Sequence, residues 1–347
     1  MKMIRYEIGS EFWNTPLTDK ICVPMWEKWS GDQRFFLSGR TALSAVLDDI
    51  LTEQRCKTAY LPSYCCHTMI EPFLAHGIAV EFYPVVFENG QLVQAMDPAK
   101  ECDVVLAMDY FGFAGQRQPM PKRSVVIQDM THSLFAEPHE ADYLFASFRK
   151  WGAVAGAAVA SKKGQWNIEA PIETNQAYIE VRQKGYERKY RFMSGETVDK
   201  QAFLNIFAEA EALLEKDYHG YTADKKSIDA ATHLQSCAKN RRANARYLLK
   251  GLKNVDFIQP MFSVMGDSDV PLFVPILVKN GQRDELRKHL TDHDIYCPVH
   301  WPLSQYHAID KCCKTLYEEE LSLVCDQRYD TDDMQRVIDT VLSFDRR

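Results

Sequence analysis

No apolar run in this 347-residue chain is long enough to cross a bilayer. The longest, Trp151 to Ala160, falls well short of the ~20 residues a spanning helix needs. The opening stretch MKMIRYEIGSEFW lacks the apolar core of a signal peptide, so a cytoplasmic protein is expected. Glycine and proline are scarce, at 16 and 15 residues, which excludes collagen-like and linker-dominated chains. An excess of positive charge is also missing: 41 Lys and Arg against 48 Asp and Glu give a net charge of -7, so nucleic acid is not an expected partner. Ten cysteines include two adjacent pairs, Cys65-Cys66 and Cys312-Cys313, which read as reduced thiols. No CxxC or HExxH spacing marks a metal site, and none is expected.

What is present is a chain long enough for about two domains at ~150 residues each, with an ordinary globular share of 46% hydrophobic residues. The first marked unit is Ser38-Gly39-Arg40-Thr41, leading into ALSAVLDDIL with apolar residues at helical spacing. Ser38 reads as an N-cap, and the free amides of such a helix start suit a phosphate. Strand-like runs then alternate with helical or loop segments: TAYLP, IAVEFYPV, VVLAM, VVIQD and DYLFASF. Short apolar strands joined by crossovers predict an α/β fold with a mainly parallel sheet, whose ligands sit beyond the carboxyl ends of the strands. Asp129 closes VVIQD, and Ser147, Arg149 and Lys150 close DYLFASFRK. Singly, Asp129 reads as a cap and Lys150 as a solvated charge. In this order they supply the parts a pyridoxal-phosphate site needs: a phosphate cup, an acid for the pyridine nitrogen and a lysine amine.

Through FFLSGRTAL, AYLPSYCCHTMIEPF, VVIQDMTHSLFA, YLFASFRKWGAVAGAAVAS and TDDMQRVIDTVL, the sequence resembles the DegT/DnrJ/EryC1/StrS aminotransferase family from about Phe35 onward. That resemblance implies a pyridoxal-phosphate transferase of fold type I: a large domain with a mixed, mainly parallel seven-stranded sheet over 1–230 and a smaller C-terminal α/β domain over 231–347. It implies amino transfer from an amino acid, glutamate first, to a keto sugar linked to a nucleotide, by a homodimer. Lys150 would be the Schiff-base lysine and proton carrier, and Asp129 the partner of the pyridine nitrogen. Gly39, Arg40, Thr41 and Ser147 would hold the phosphate, and His132 would lie near the ring's phenolic oxygen. Tyr64 would cover the ring face, with His67 as the reserve. The sequence departs from the family by placing Lys150 two residues after Phe148 and by Ala153 to Ala158 in place of a Gly-Glu-Gly-Gly turn, departures that bear on the substrate. Another pyridoxal-phosphate reaction, such as dehydration, and a non-catalytic cofactor-binding homologue are the alternatives.

Beyond residue 160, Phe203, Phe207, Ala210 and Leu214 share one face of a helix whose other face is acidic. Cys237 to Leu252 reads as a second helix, with Lys239, Arg241, Arg242 and Arg246 chiefly on solvated faces. Residues 271–279, 283–293 and 295–302 read as strand, helix and strand, followed by a helix over 332–342. His300-Trp301-Pro302 either faces the substrate at the domain interface or forms a packing turn. VRQKGYERKYR, with Arg188 and Arg191, reads as a basic loop. The resemblance implies that such a loop reaches toward a neighbouring subunit's site, where it would meet the diphosphate of a nucleotide sugar.

Overall fold

The computed structural model describes residues 7–14, 23–117 and 119–344. The leader reading therefore falls partly outside the described residues. The N-terminal half holds β1 (Asp32–Phe36), α1 (Gly39–Glu53), β2 (Thr58–Pro62), α2 (His67–Ala75), β3 (Ala79–Tyr83), β4 (Val104–Met108), β5 (Val125–Asp129), β6 (Tyr143–Ser147) and β7 (Ala158–Lys162). These strands form one seven-stranded sheet in the order β1-β7-β6-β5-β4-β2-β3. Strand β7 runs antiparallel to β1 and β6, and every other pair is parallel. All five residues of β4 and of β6 are buried, because a parallel strand covered on both faces cannot alternate apolar with polar. The expected α/β fold is thus observed.

Helix α1 begins where the sequence places it. The Ser38 side chain accepts from the Thr41 amide at 3.1 Å, and Ala42, Leu43, Val46, Leu47 and Ile50 are buried. Helices α3 (Gln176–Met193) and α4 (Lys200–Lys216) follow, and α4 buries the predicted stripe Phe203, Phe207, Ala210 and Leu214. Helix α3 corrects one expectation: the basic segment 182–191 is helical, not a loop. Its Tyr178, Ile179, Tyr186 and Phe192 recur at helical spacing and are buried, which a run of charges read by itself conceals.

The C-terminal part contains α5 (Lys225–Thr232), α6 (Ala238–Gly251), β8 (Ile258–Pro260), β9 (Val274–Val278), α7 (Arg283–Asp292), α8 (Lys311–Glu319), β10 (Glu320–Leu323) and α9 (Thr331–Leu342). Strands β8, β9 and β10 form an antiparallel sheet. The strand expected over 295–302 is cut to Ile295–Tyr296, which pairs with Ile8–Gly9 near the N-terminus. Pro298 and Pro302 lack the amide a ladder needs, so the rest is irregular chain that delivers His300 and Trp301 to the centre of the molecule. Arg241 also departs from its solvated-face expectation. It is fully buried, with its guanidinium donating to the carbonyls of Leu272 at 2.9 Å and Trp151 at 3.3 Å. No described helix is long and apolar enough to cross a membrane.

Candidate active site

The carboxyl ends of β5 and β6 and the start of α1 surround a cavity of about 310 Å³. Gly39, Asp129, His132, Ser147 and Lys150 line it together. The sheet register explains the convergence: Asp129 pairs with Met108 at the end of β4 on one side and with Phe145, two residues before the end of β6, on the other, so the carboxyl-terminal parts of three parallel strands open onto one space.

Lys150 lies on the turn after β6, with its side chain accessible along the cavity and the protein walls around it. Its amine has no hydrogen-bond partner among the described residues. Burial lowers its pKa and the Arg149 charge lowers it further, against the opposing pull of Cys66, Glu211 and Asp129. Asp129 is 4% exposed and accepts the Thr131 amide at 2.7 Å. Burial pushes its carboxyl up to about 6, although the bonds from Thr131 and the Lys150 charge oppose that rise. Thr131 ties the region together: its hydroxyl accepts the Ser147 amide at 3.1 Å and its carbonyl accepts the Trp151 indole at 2.7 Å.

His132 is buried, and both ring nitrogens are without a hydrogen-bond partner. Burial, then the Lys150 charge, keeps the ring neutral. Two orphaned nitrogens facing a cavity are a costly arrangement unless a ligand satisfies them. Gly39 supplies a second sign of a ligand. A Cβ there would lie 3.3 Å from the Ser147 Cβ, so the glycine keeps the α1 amides open to the cavity beside Ser147. Arg40 also lines the cavity, 3.7 Å from Glu71 and over the Tyr218 ring at 5.1 Å.

Two sequence expectations for the site are corrected. The Thr41 side chain does not line the cavity, because its hydroxyl donates to the Tyr218 carbonyl at 2.7 Å and its Oγ also meets Ser38. Tyr64 is fully buried in the core beneath, packed against Tyr110, Trp301 and Tyr317, and it does not line the cavity. Its reserve, His67, does line it, since the chain turns out of β2 and only the α2 start reaches the opening. Arg188 and Arg191 line neither this cavity nor the one beside it that also holds Lys150, which leaves untouched the expectation that they serve a neighbouring subunit. Arg191 instead pairs with Glu196 at 2.7 Å.

The structure adds residues that the sequence reading passed over. Glu211, hidden among the acids of α4, reaches the cavity and holds Arg149 at 3.0 Å and Arg182 at 2.8 Å. The Arg149 guanidinium also donates to the Tyr178 hydroxyl at 2.6 Å. Trp301, singled out in the sequence with His300 and Pro302, forms part of the wall. Cys66 lines the cavity as well and accepts from the Thr68 hydroxyl at 3.1 Å. Burial raises its thiol, but bonds to His67 and Thr68 and the Lys150 charge bring it down to about 7. A second cavity of about 470 Å³ shares Ser147, Arg149 and Lys150 with the first, and His300 lines it. Among the described residues, no cluster of His, Cys, Asp or Glu is placed to hold a metal.

A seven-stranded sheet of this order, with a lysine and an aspartate at adjacent strand ends, defines the class: the fold of type I pyridoxal-phosphate enzymes. Solved structures share it over nearly the whole chain. Helicobacter pylori PseC superposes with a TM-score of 0.64 at 14% identity, covering 97% of this chain and 98% of that one. Spr1654 of Streptococcus pneumoniae, solved in its PLP form, gives 0.63 at 13% identity over 97% and 98%. CalS13 of Micromonospora echinospora gives 0.56 at 12% identity over 90% and 87%. Residues 228–342 match the model of the DegT/DnrJ/EryC1/StrS aminotransferase family. That match lies after the cofactor-site motifs, in the part of the chain that carries α6 to α9. No curated protein matches the chain by sequence.

Proposed function

We propose that this protein is a pyridoxal-5′-phosphate aminotransferase that moves an amino group from an amino acid, glutamate first, to a keto sugar carried on a nucleotide. The observation that carries the proposal is the unpaired Lys150 amine in one cavity with Asp129, His132 and the α1 amides. The match to an aminotransferase family and the printed description of CalS13 as a sugar aminotransferase support the class of reaction and acceptor. In this proposal a large domain spans 1–230, a small domain 231–347, and the enzyme works in the cytoplasm as a homodimer.

The residues fit the cofactor. The α1 amides at Gly39 and Arg40, with Ser147, would take its phosphate, and Asp129 its ring nitrogen, while His132 would find its missing partner at the ring's edge. The bound cofactor supplies an electron sink for the substrate carbon that gives up its proton. Lys150 carries that proton. Its desolvation makes it a better base near neutral pH than an exposed lysine with a pKa of ~10.4. Glu211 holds Arg149 beside the amine, so the neighbouring positive charge that depresses the lysine stays fixed.

The test is a spectral titration of purified protein across amino donors. Loss of the cofactor's visible band on adding glutamate is the expected result. A yellow protein inert to every donor would favour a cofactor-binding role without turnover. For the nucleotide linkage, Arg188 and Arg191 have to serve a second copy's cavity, because they do not line their own. The double variant Arg188→Ala, Arg191→Ala should raise the acceptor KM several-fold, more so at low salt, and leave the glutamate half-reaction unchanged. Equal loss in both half-reactions would point to a smaller carbonyl substrate.

A further inference from the structure

Behind the second cavity lies a buried polar chain with no part in the proton transfer described above. The Glu320 carboxyl accepts the His300 backbone amide at 2.6 Å through Oε2, and its Oε1 is 2.5 Å from the Ser322 hydroxyl. The same hydroxyl is 2.8 Å from His300 Nδ1. Glu320 and Ser322 are two apart on β10 and therefore point to the same side of the strand. Both are fully buried, and His300 is 4% exposed. The imidazole lines the cavity that contains Lys150, and Nε2 has no hydrogen-bond partner among the described residues.

A serine hydroxyl has one proton to donate, so the two bonds it makes here have to run in the same direction. With Glu320 as a carboxylate, Ser322 donates to it and accepts from Nδ1–H, which leaves the Nε2 lone pair toward the cavity. With Glu320 as a neutral acid, its proton goes to the Ser322 oxygen and the hydroxyl donates to Nδ1, which puts the ring proton on Nε2. We propose that Glu320, acting through Ser322, sets the His300 tautomer and so decides whether the imidazole meets the substrate cavity as a hydrogen-bond donor or as an acceptor. As donor it suits a carbonyl or carboxylate oxygen, and as acceptor a hydroxyl or an ammonium group. Glu320 and Ser322 are positioning residues in this scheme.

The surrounding charges fit such a switch. Among the described residues, Arg283, Tyr64 and Cys297 interact electrostatically with Glu320, and Lys150 and the neighbouring His132 ring stand near His300, whose cavity Arg287, Asp326 and Arg328 also line. Burial pushes Glu320 up to about 8, against its bonds to Ser322 and the His300 amide and the Arg283 charge. Burial and the Lys150 charge keep His300 neutral, so it changes tautomer, not charge.

The proposal needs only a cavity-facing imidazole beside Lys150, and its test does not depend on turnover. Nitrogen-15 NMR of the purified full chain with its cofactor, with His300 assigned from a His300→Asn variant, reads the tautomer directly. At about pH 6.5 the ring should carry its proton on Nε2, and at about pH 9.5 on Nδ1. The ratio of the two forms should change about 30-fold on each side of the midpoint. Glu320→Gln can donate through its amide nitrogen but never accept there, so it should hold the Nε2–H form at both pH values. Ser322→Ala, a small change that keeps the carboxyl, should also abolish the transition. A wild-type ring that keeps one tautomer throughout, or a transition that survives in either variant, would overturn the relay.

Discussion

Lys150→Ala is expected to give a folded protein that no longer bonds its cofactor covalently and has lost at least about 10³-fold in transamination. The fold should tolerate the change, because the Lys150 amine makes no hydrogen bond among the described residues and its side chain fills cavity rather than core. The neighbouring lysines cannot substitute for it. Lys162 is at the far end of β7, opposite Tyr143 in register, and its amine is held by Asp49 at 2.8 Å and Glu53 at 2.7 Å. Lys163 lies beyond it, exposed and 3.4 Å from Glu140. Borohydride reduction of the wild type followed by peptide mapping should place the cofactor on Lys150, and thermal melting should show Lys150→Ala still folded. Cofactor recovered on Lys162 or Lys163 would remove Lys150 from its role.

The strand ends that make this site were legible in the sequence because parallel strands buried on both faces leave unbroken apolar runs. VVIQD and DYLFASF end visibly in polar residues at the places where ligands gather. Helix α1 was legible for a different reason: a serine cap followed by helical spacing is a local signal. Tyr64 and His67 are three residues apart, and one is core while the other lines the cavity. That difference depends on where the chain leaves β2, which no pattern over three residues encodes. Charged side chains misled most. Glu211, Arg182 and Arg241 look like solvated surface in sequence, yet each is satisfied by partners far along the chain: Glu211 by the Arg149 charge, Arg182 by the charges of Glu11 and Glu211, and Arg241 by hydrogen bonds to the carbonyls of Trp151 and Leu272. Long-range pairing of this kind makes burial of a charge possible and leaves no local trace. The relay of Glu320, Ser322 and His300 was similarly hidden, although His300 itself stood out beside Trp301 and Pro302.

Asp129→Asn is expected to retain bound cofactor and slow the donor half-reaction by about 10²-fold or more. Retention follows from the remaining contacts: the Gly39 turn, Ser147 and Lys150 are untouched, and an amide oxygen at position 129 still accepts the Thr131 amide, which Asp129 receives at 2.7 Å. The slowing follows from charge. In the proposed role, an ionised Asp129 would stabilise a proton on the pyridine nitrogen, whereas a neutral amide would have no charge to set against it. The carboxyl is pushed up to about 6 by burial when only the protein surrounds it. Activity of the wild type should therefore fall on the acid side, at a pH below that value once the cofactor is bound, because protonating the carboxyl removes the same charge that the amide lacks. A positive ring nitrogen in contact favours the carboxylate, so binding of the cofactor moves that limb to lower pH. In Asp129→Asn this acid limb should disappear, and the low rate should be flat where the wild type titrates. The paired readouts separate the two ways the substitution can fail. Lost absorbance with lost rate would mean that Asp129 holds the cofactor in place, while near-normal turnover with a preserved acid limb would take Asp129 out of the chemistry.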